Sequence, residues 1–149
     1  MSSPLTPGLE QVRKFVSGEL PQPPVAQLVG LRIVAAEADK AVFQLETDDR
    51  HANPMGTLHG GILCDLADAA MGTAMATTLG PGETYTTLDL SISFLKPVWK
   101  ATLTATAEVI KRTRRIGLVE CRVLDQTGSL VAHAKSTCLV LTGDDAVGR

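Results

Sequence analysis

The sequence predicts a single α+β domain in which an antiparallel sheet packs against one long helix. Three observations support this fold class. Most of the predicted strands follow one another without helices between them, which is typical of antiparallel sheets. Residues 60–78 contain no proline and are rich in Ala, Leu and Met, which favours a helix of about 18 residues. The 149 residues, of which 44% are hydrophobic and 20% charged, suffice for one buried core.

The first third of the chain predicts a short helix and a hairpin. Apolar residues recur at helical spacing and are followed by Gly18 as a stop signal: Leu9, Val12, Phe15 and Val16. We therefore expect residues 1–24 to form an N-terminal helix and a connector, the latter ending in "PQPP". Residues 31–46 predict two strands folded about Asp39 and Lys40, followed by a Pro- and Gly-containing loop.

The long predicted helix has two faces that differ in character. At 100° per residue, one face carries the residues expected to contact the sheet: Leu63, Leu66, Ala67, Ala70, Ala74 and Thr78. The opposite face is small and largely apolar but contains two acids: Asp65, Asp68, Gly72 and Ala76. Since water is a poor neighbour for such a face, we expect a second subunit to cover it, with the aspartates near the seam.

The second half of the chain predicts four strands. In the first of them, Leu88, Leu90, Ile92 and Phe94 alternate with Thr87, Asp89, Ser91 and Ser93, and Pro97 follows the strand. Two further alternating segments, "ATLTATAEVI" and "GLVECRVLD", precede a last strand, "LVAHAKSTCLVL". We expect residues 143–149 to be a flexible tail and residues 1–149 to form one domain.

Composition excludes several classes of protein. The net charge of −2 and the 3% aromatic content argue against nucleic-acid binding. The chain shows neither a signal-peptide core nor a run of apolar residues long enough to cross a membrane, so we expect a cytoplasmic domain without a membrane partner. Its three cysteines lack metal-ligand spacing and each lies in an apolar run, which indicates core residues.

The start of the long helix contains a group of residues suited to an oxyanion. Helix N-termini present free N–H groups, and Gly60 and Gly61 remove the side chains that would block access to them. Asp68 lies about 12 Å further along the axis at 1.5 Å per residue. That distance is too long for Gly60 and Asp68 of one chain to act on one atom. A carboxylate supplied across a dimer seam would meet this requirement.

Residues 53–68 read N-x-x-G-x-x-H-G-G-x-x-x-x-L-A-D, which resembles the signature of the hot-dog-fold acyl-CoA thioesterases of the PaaI type. The matching positions are Asn53, Gly56, His59, Gly60, Gly61, Leu66, Ala67 and Asp68. The order of elements over residues 25–142 also resembles that family. The resemblance implies a sheet wrapped around the central helix, a homodimer or dimer of dimers, an acyl-CoA substrate, and no metal or other cofactor.

The resemblance also implies roles for individual residues. Asp68 would be the catalytic carboxylate, acting either as general base on water or as nucleophile. The Gly60 N–H would polarise the thioester carbonyl, and in the family these two groups come from different subunits. Asn53 and His59 would orient the carbonyl and the water. Thr87 lies where the family often has a Ser or Thr near the attacking water.

Further residues are expected to contact the substrate. Gly61 lies beside the oxyanion site, and Met71 and Met75 are candidates for the wall around the acyl group. The basic run of Lys111, Arg112, Arg114 and Arg115 lies in a predicted hairpin. It is either a solvated turn or a clamp for the phosphates of coenzyme A, for which Arg side chains are suited.

Parts of the sequence are also compatible with three alternative functions. His51 and Asp65 have the separation found in hot-dog dehydratases, although "TLHGG" replaces the loop of that pattern. His51, His59, Asp65 and Asp68 could bind a metal, but their spacing matches no common metal motif. The third alternative is an acyl-CoA-binding protein without activity, which measured hydrolysis would distinguish from an enzyme.

Overall fold

An antiparallel sheet and one long helix form the frame of the protein, in a computed structural model that describes residues 5–149. Residues 1–4, the start of the predicted 1–24 segment, lie outside the described residues. The helices are α1 (Pro7–Ser17), α2 (Pro24–Val29) and α3 (Gly60–Ala76). The strands are β1 (Arg32–Glu37), β2 (Lys40–Glu46), β3 (Thr84–Phe94), β4 (Thr102–Arg112), β5 (Ile116–Leu124) and β6 (Leu130–Leu141).

The strands form one sheet across residues 5–149, in the order β1-β2-β4-β5-β6-β3, and every pair of neighbours is antiparallel. The predicted α+β class, the long helix and the antiparallel sheet are therefore confirmed. The β1–β2 turn uses Asp39 in the left-handed region (φ 65°), and the Asp39 N–H donates to Thr77 Oγ1 at 3.0 Å. This bond ties the hairpin to the end of α3.

The core lies between α3 and the concave side of the sheet. The residues predicted to contact the sheet are fully or nearly buried, apart from the half-buried Thr78: Leu63, Leu66, Ala67, Ala70 and Ala74. Small alanines allow the helix to lie close to buried strand residues such as Leu103 and Val119. The helix ends two residues before the predicted Thr78, where the hydroxyls of Thr77 and Thr78 donate to α3 carbonyls.

Gly72, on the helix face expected to meet a second subunit, is buried within its own chain instead. It is buried because the Tyr85 hydroxyl packs directly on it, and a Cβ at this position would lie 2.4 Å from the Tyr85 oxygen. Asp65 and Asp68 keep a large part of their side chains exposed in the single chain.

The predicted connector at residues 21–24 is only partly correct, because Pro24 begins helix α2. Proline is well suited to the first helical position, and Gly30 ends this helix in the left-handed region (φ 93°). The adjacent prolines concealed the helix in the sequence, since proline usually indicates a loop. A 3₁₀ turn at Gly143–Ala146 follows β6. None of the helices in the described part of the chain combines the length and apolar character needed to cross a bilayer.

Helix α1 is attached to the C-terminal end of α3. Thr6 caps α1 by accepting the Leu9 N–H at 3.0 Å, and its hydroxyl donates to the Thr77 carbonyl at 2.5 Å. The Gly8 N–H donates to the Leu79 carbonyl at 3.2 Å, and a Cβ on Gly8 would lie 1.9 Å from the Ala76 carbonyl oxygen. The approach of the two backbones therefore requires glycine at position 8.

We expect Gly8→Ala to destabilise the protein. Alanine favours the helix by about 1 kcal/mol, but the clash with a backbone carbonyl forces α1 away from α3, and overpacking of this kind typically costs about 1–3 kcal/mol. Urea denaturation should show a lower midpoint with an unchanged slope. Arg13→Ala, on the exposed side of the same helix, is the control and should leave the midpoint unchanged. Equal midpoints for the two variants would contradict the close approach.

Candidate active site

The N-terminus of α3 presents one free backbone donor beside a histidine. His59 is the N-cap, and its Nδ1 accepts the Gly61 N–H at 2.8 Å, which fixes the ring at the helix start and leaves Nε2 to carry the proton. The Gly60 N–H has no acceptor among the described residues. Phe94 covers the other side of Gly60, where a Cβ would lie 2.9 Å from the tip of the ring. The Gly60 N–H is therefore available to donate a hydrogen bond to a carbonyl oxygen.

The loop before His59 is built by Asn53. Its side-chain oxygen accepts the N–H groups of Met55 (2.9 Å) and Thr57 (3.2 Å), and its amide donates to the Thr57 hydroxyl at 2.6 Å. Gly56 turns the chain in the left-handed region (φ 89°). Asn53 thus fixes the shape of the loop that leads to His59, and these bonds occupy most of its polar groups.

Asp68 lies two turns into α3, in a recess between an apolar cavity and a polar cleft. The cleft is lined by Cys64, Asp65, Asp68 and residues 87–90 of β3. Partial burial and the charge of Asp65 raise the pKa of the Asp68 carboxyl, while a hydrogen bond from the Thr87 hydroxyl lowers it. The raising effects prevail, so this carboxylate binds a proton more readily than an ordinary aspartate and is a stronger base.

A β-bulge at Leu88 directs Thr87 toward Asp68. Thr87 pairs with Cys138, and Asp89 pairs with the preceding Thr137, so Leu88 is an extra residue in β3. Because one extra residue reverses the alternation, Thr87 faces α3 together with Leu90, whereas strict alternation had assigned them to opposite faces. Asp89 points away from the core and accepts the Thr137 N–H at 2.9 Å.

The apolar cavity is large and lies between the N-terminal helices and α3. Its volume is about 570 Å³, and its walls come from α1, α2, β1, β2, α3 and the 79–85 segment. Asp68 and Tyr85 stand together at one part of this wall. Burial, Cys138 and the Asp68 charge raise the pKa of the Tyr85 phenol well above its usual value, so it is neutral.

Met75 does not line this cavity. It is fully buried in the core, where its sulfur would lie 2.3 Å from a Cβ on Gly117 of β5, and Met71 is buried equally. The residues of α3 that face the cavity, besides Asp68, are instead Ala69, Thr73 and Ala76. Helical periodicity places the two methionines and the cavity-lining residues on different faces of α3. It does not show which face borders the cavity, because that depends on where α1 and α2 lie.

The basic run divides into one paired and two exposed arginines. Arg112 forms an ion pair with Glu83 at 2.8 Å and also donates to the Thr78 hydroxyl, so it is already engaged within the protein. Arg114 and Arg115 are exposed in the β4–β5 turn and line a polar cleft of about 460 Å³ with Glu83, Asp145 and residues 140–142.

His51 has a structural role in this geometry. Its Nε2 bonds the Val29 carbonyl at 2.7 Å, its Nδ1 accepts the Asp48 N–H at 3.1 Å, and the ring is buried. Since both ring nitrogens are occupied, the dehydratase alternative, which requires His51 beside Asp65, loses its support. Over residues 5–149, no three His, Cys, Asp or Glu side chains converge as a metal site would require.

Tyr85 is the main site residue that the sequence did not indicate. The strand was expected to begin near Thr87, but β3 begins at Thr84, so Tyr85 and Thr87 alternate on the face toward α3. The β-branched and aromatic residues at 84–87 favour a strand, and a prediction that began the strand at Thr84 would have included Tyr85. Its approach to Gly72 required the tertiary structure.

Comparisons with known proteins agree with this geometry. A profile described as "Thioesterase superfamily" matches residues 55–132. A 1,4-dihydroxy-2-naphthoyl-CoA hydrolase from Listeria monocytogenes is 32% identical over 114 residues, which cover 76% of this chain and 93% of the relative.

Two solved structures are also similar. One is a phenylacetic acid degradation-related protein from Ralstonia eutropha, with a TM-score of 0.78 and 32% identity, covering 86% of this chain and 98% of that one. The other is the E. coli PaaI protein, with a TM-score of 0.79 and 24% identity over 90% of this chain and 96% of that one, which supports the fold alone. The chain therefore belongs to the thioesterase superfamily and has the hot-dog fold of the PaaI proteins.

Proposed function

We propose that this protein hydrolyses acyl-CoA thioesters to a free carboxylic acid and coenzyme A. The observation that carries the proposal is the Asp68 carboxyl, which lies beside Thr87 between an apolar cavity and a polar cleft and has a raised pKa. The family membership, and the CoA thioesters on which the Listeria relative acts by its name, support the same substrate class.

The proposed chemistry needs one carboxylate and one oxyanion donor. A thioester is already activated because thiolate is a good leaving group. Asp68 either takes a proton from the attacking water, or attacks the carbonyl carbon itself to form a mixed anhydride that water then hydrolyses to the acid and free Asp68. Both routes require its ionised form. The Gly60 N–H stabilises the oxygen that becomes negative, and then the C–S bond breaks and the thiolate of coenzyme A takes up a proton. His59 and Asn53 keep the Gly60 segment in place, and Gly61 leaves room beside it.

The two groups are proposed to come from different subunits. They lie about 12 Å apart along one helix, which exceeds the reach of a single carbonyl. Strand β3 is an edge of the sheet, and two of its large apolar residues, Leu88 and Phe94, are more than half exposed. Such an edge is suited to antiparallel pairing with a second copy. Phe94 also contacts Gly60, so pairing there would bring the partner's helix near the oxyanion donor.

Loss of either group should abolish most of the turnover. We expect Asp68→Asn and Gly60→Pro each to lower kcat by about 10²–10³-fold, measured as thiol release from acyl-CoA. Proline is tolerated at the first helical position and removes the N–H, and both variants add a Cβ near Phe94, but Gly60→Ala retains the donor. Gly60→Ala is therefore the matched control and should keep most of the activity. If the wild type instead binds acyl-CoA tightly but releases no thiol, the protein is an acyl-CoA-binding protein without activity.

The same variants test the shared site. If Asp68 and Gly60 act across the seam, a hybrid of Asp68→Asn and Gly60→Pro subunits contains one intact site. Random mixing by unfolding and refolding should then restore about a quarter of the wild-type activity, as expected for a two-fold symmetric dimer. No recovery in a mixture that demonstrably exchanges subunits would show that both groups act within one chain.

The pH dependence should follow the charges around Asp68. Because the carboxylate must be ionised, kcat/KM should fall as the pH falls through its pKa. Asp65→Asn removes a charge that raises this pKa and should shift the acid limb to lower pH. Thr87→Val removes a bond that lowers it and should shift the limb to higher pH. Asp89→Asn removes a charge from the same cleft without altering Thr87 and is the control. Shifts in the same direction for Asp65→Asn and Thr87→Val would contradict the assignment.

The exposed arginines are proposed to bind the phosphates of coenzyme A. Arg112 is engaged with Glu83, so this role falls to Arg114 and Arg115. The double variant Arg114→Ala/Arg115→Ala should raise KM for acyl-CoA about tenfold with a smaller change in kcat, since charge-assisted bonds would be lost. The equally exposed pair Arg13→Ala/Arg122→Ala is the control. An unchanged KM, or the same increase with an acyl-pantetheine that lacks the nucleotide, would contradict the clamp.

A further inference from the structure

The cavity beneath α1 and α2 forms a channel that follows α3. Three of its lining residues form a stripe along that helix, Ala69, Thr73 and Ala76, and Asp68 lies beside the start of this stripe. At 1.5 Å per residue, the helix rises about 12 Å from Asp68 to Ala76. A space of about 570 Å³ is far larger than the voids of close-packed protein interiors, so we regard it as a ligand site.

Small side chains on one wall and apolar ones on the other define this channel. The α3 stripe contributes two alanines and a threonine, while the facing wall contributes Val12 and Phe15 of α1 and Phe43 of β2. Gly8 brings α1 into backbone contact with α3 at Ala76, so the two helices are close at that end. Between that contact and Asp68 the small residues of α3 leave the space open.

Charge is confined to the two ends of the channel. Among its lining residues, Asp68 lies at one end of the α3 stripe and Glu83 lies in the segment after α3, where it is paired with Arg112. The walls between them are uncharged. An anionic or strongly polar acyl group would therefore lose hydration without compensation, whereas a hydrocarbon would gain about 0.8 kcal/mol for each buried methylene.

We propose that this channel binds the acyl group of the substrate and selects an unbranched, medium-chain hydrocarbon. This inference rests on the proposed thioesterase function. The thioester carbonyl lies at Asp68, and the chain extends along Ala69 and Thr73 toward Ala76. A single aromatic ring would occupy only the part of the channel nearest Asp68, so the length of the channel favours a linear chain.

A series of acyl-CoA substrates from butanoyl to decanoyl tests this assignment. For the wild type we expect kcat/KM to rise about threefold to fourfold for each added methylene, which is the 0.8 kcal/mol converted at 1.4 kcal/mol per tenfold. Thr73→Leu should block the channel midway, lowering kcat/KM for decanoyl-CoA at least tenfold and leaving butanoyl-CoA within about twofold. Thr106→Leu, on the outer face of β4, makes the same change outside the channel and should leave the profile unaltered.

A second variant changes the channel in the opposite direction. Phe15→Ala widens the wall on α1 and should move the preferred chain toward longer acyl groups. A flat chain-length profile in the wild type would overturn the proposal. It would also be overturned if Thr73→Leu reduced butanoyl and decanoyl hydrolysis equally, because the channel would then not contact the distal part of the chain.

Binding without turnover separates this proposal from the proposed function. In the Asp68→Asn variant, decanoyl-CoA should bind at least tenfold more tightly than butanoyl-CoA by calorimetry, and adding Thr73→Leu should remove that preference. If the preference is found but the wild type releases no thiol, the channel assignment stands and the thioesterase proposal falls. If thiol is released but no preference is found, the channel assignment alone is wrong.

Discussion

The rigidity of one α-helix constrains the whole site. Gly60 and Asp68 lie on α3, and the rise of the helix keeps them about 12 Å apart whatever the side chains do. The sheet covers one face of this helix, and Asp68 lies at the margin of that face, beside Thr87 of β3. The free edge of β3, with Leu88 and Phe94 exposed, offers the place where a second helix of the same kind could supply the missing group.

The bulge in β3 allows one strand to direct both polar residues and apolar residues toward α3. Before Leu88, the residues directed at α3 are Tyr85 and Thr87, which contact Gly72 and the Asp68 carboxyl. After Leu88, the residues on that side are apolar, from Leu90 to Phe94. Without the extra residue, continuous alternation would place either the polar group or the apolar group on the wrong side of the sheet. The bulge therefore allows a polar contact and an apolar core to share one strand.

The electrostatic state of Asp68 reflects a balance between its neighbours. Asp65 lies one helical turn away and opposes ionisation of Asp68, while the Thr87 hydroxyl stabilises the ionised form. Partial burial against the apolar cavity favours the neutral acid. In the proposed function, the same cavity would serve both the affinity for an acyl group and the basicity of the carboxylate, because low polarity supports each of them.

The sequence by itself determined the fold class, the existence and start of α3 at His59-Gly60-Gly61, and the face of α3 that contacts the sheet. These follow from periodicity and from glycine and proline, which act over a few neighbouring residues. It did not determine helix α2, the bulge at Leu88, the burial of Gly72 and Met75, or the pairing of Arg112 with Glu83. Each of these depends on atoms far apart in the chain: Tyr85 meets Gly72, Met75 meets Gly117, and α1 rests on Ala76. Only the tertiary structure decides such contacts. Local sequence patterns predict which face of its own helix or strand a side chain occupies, but not which distant residue it contacts.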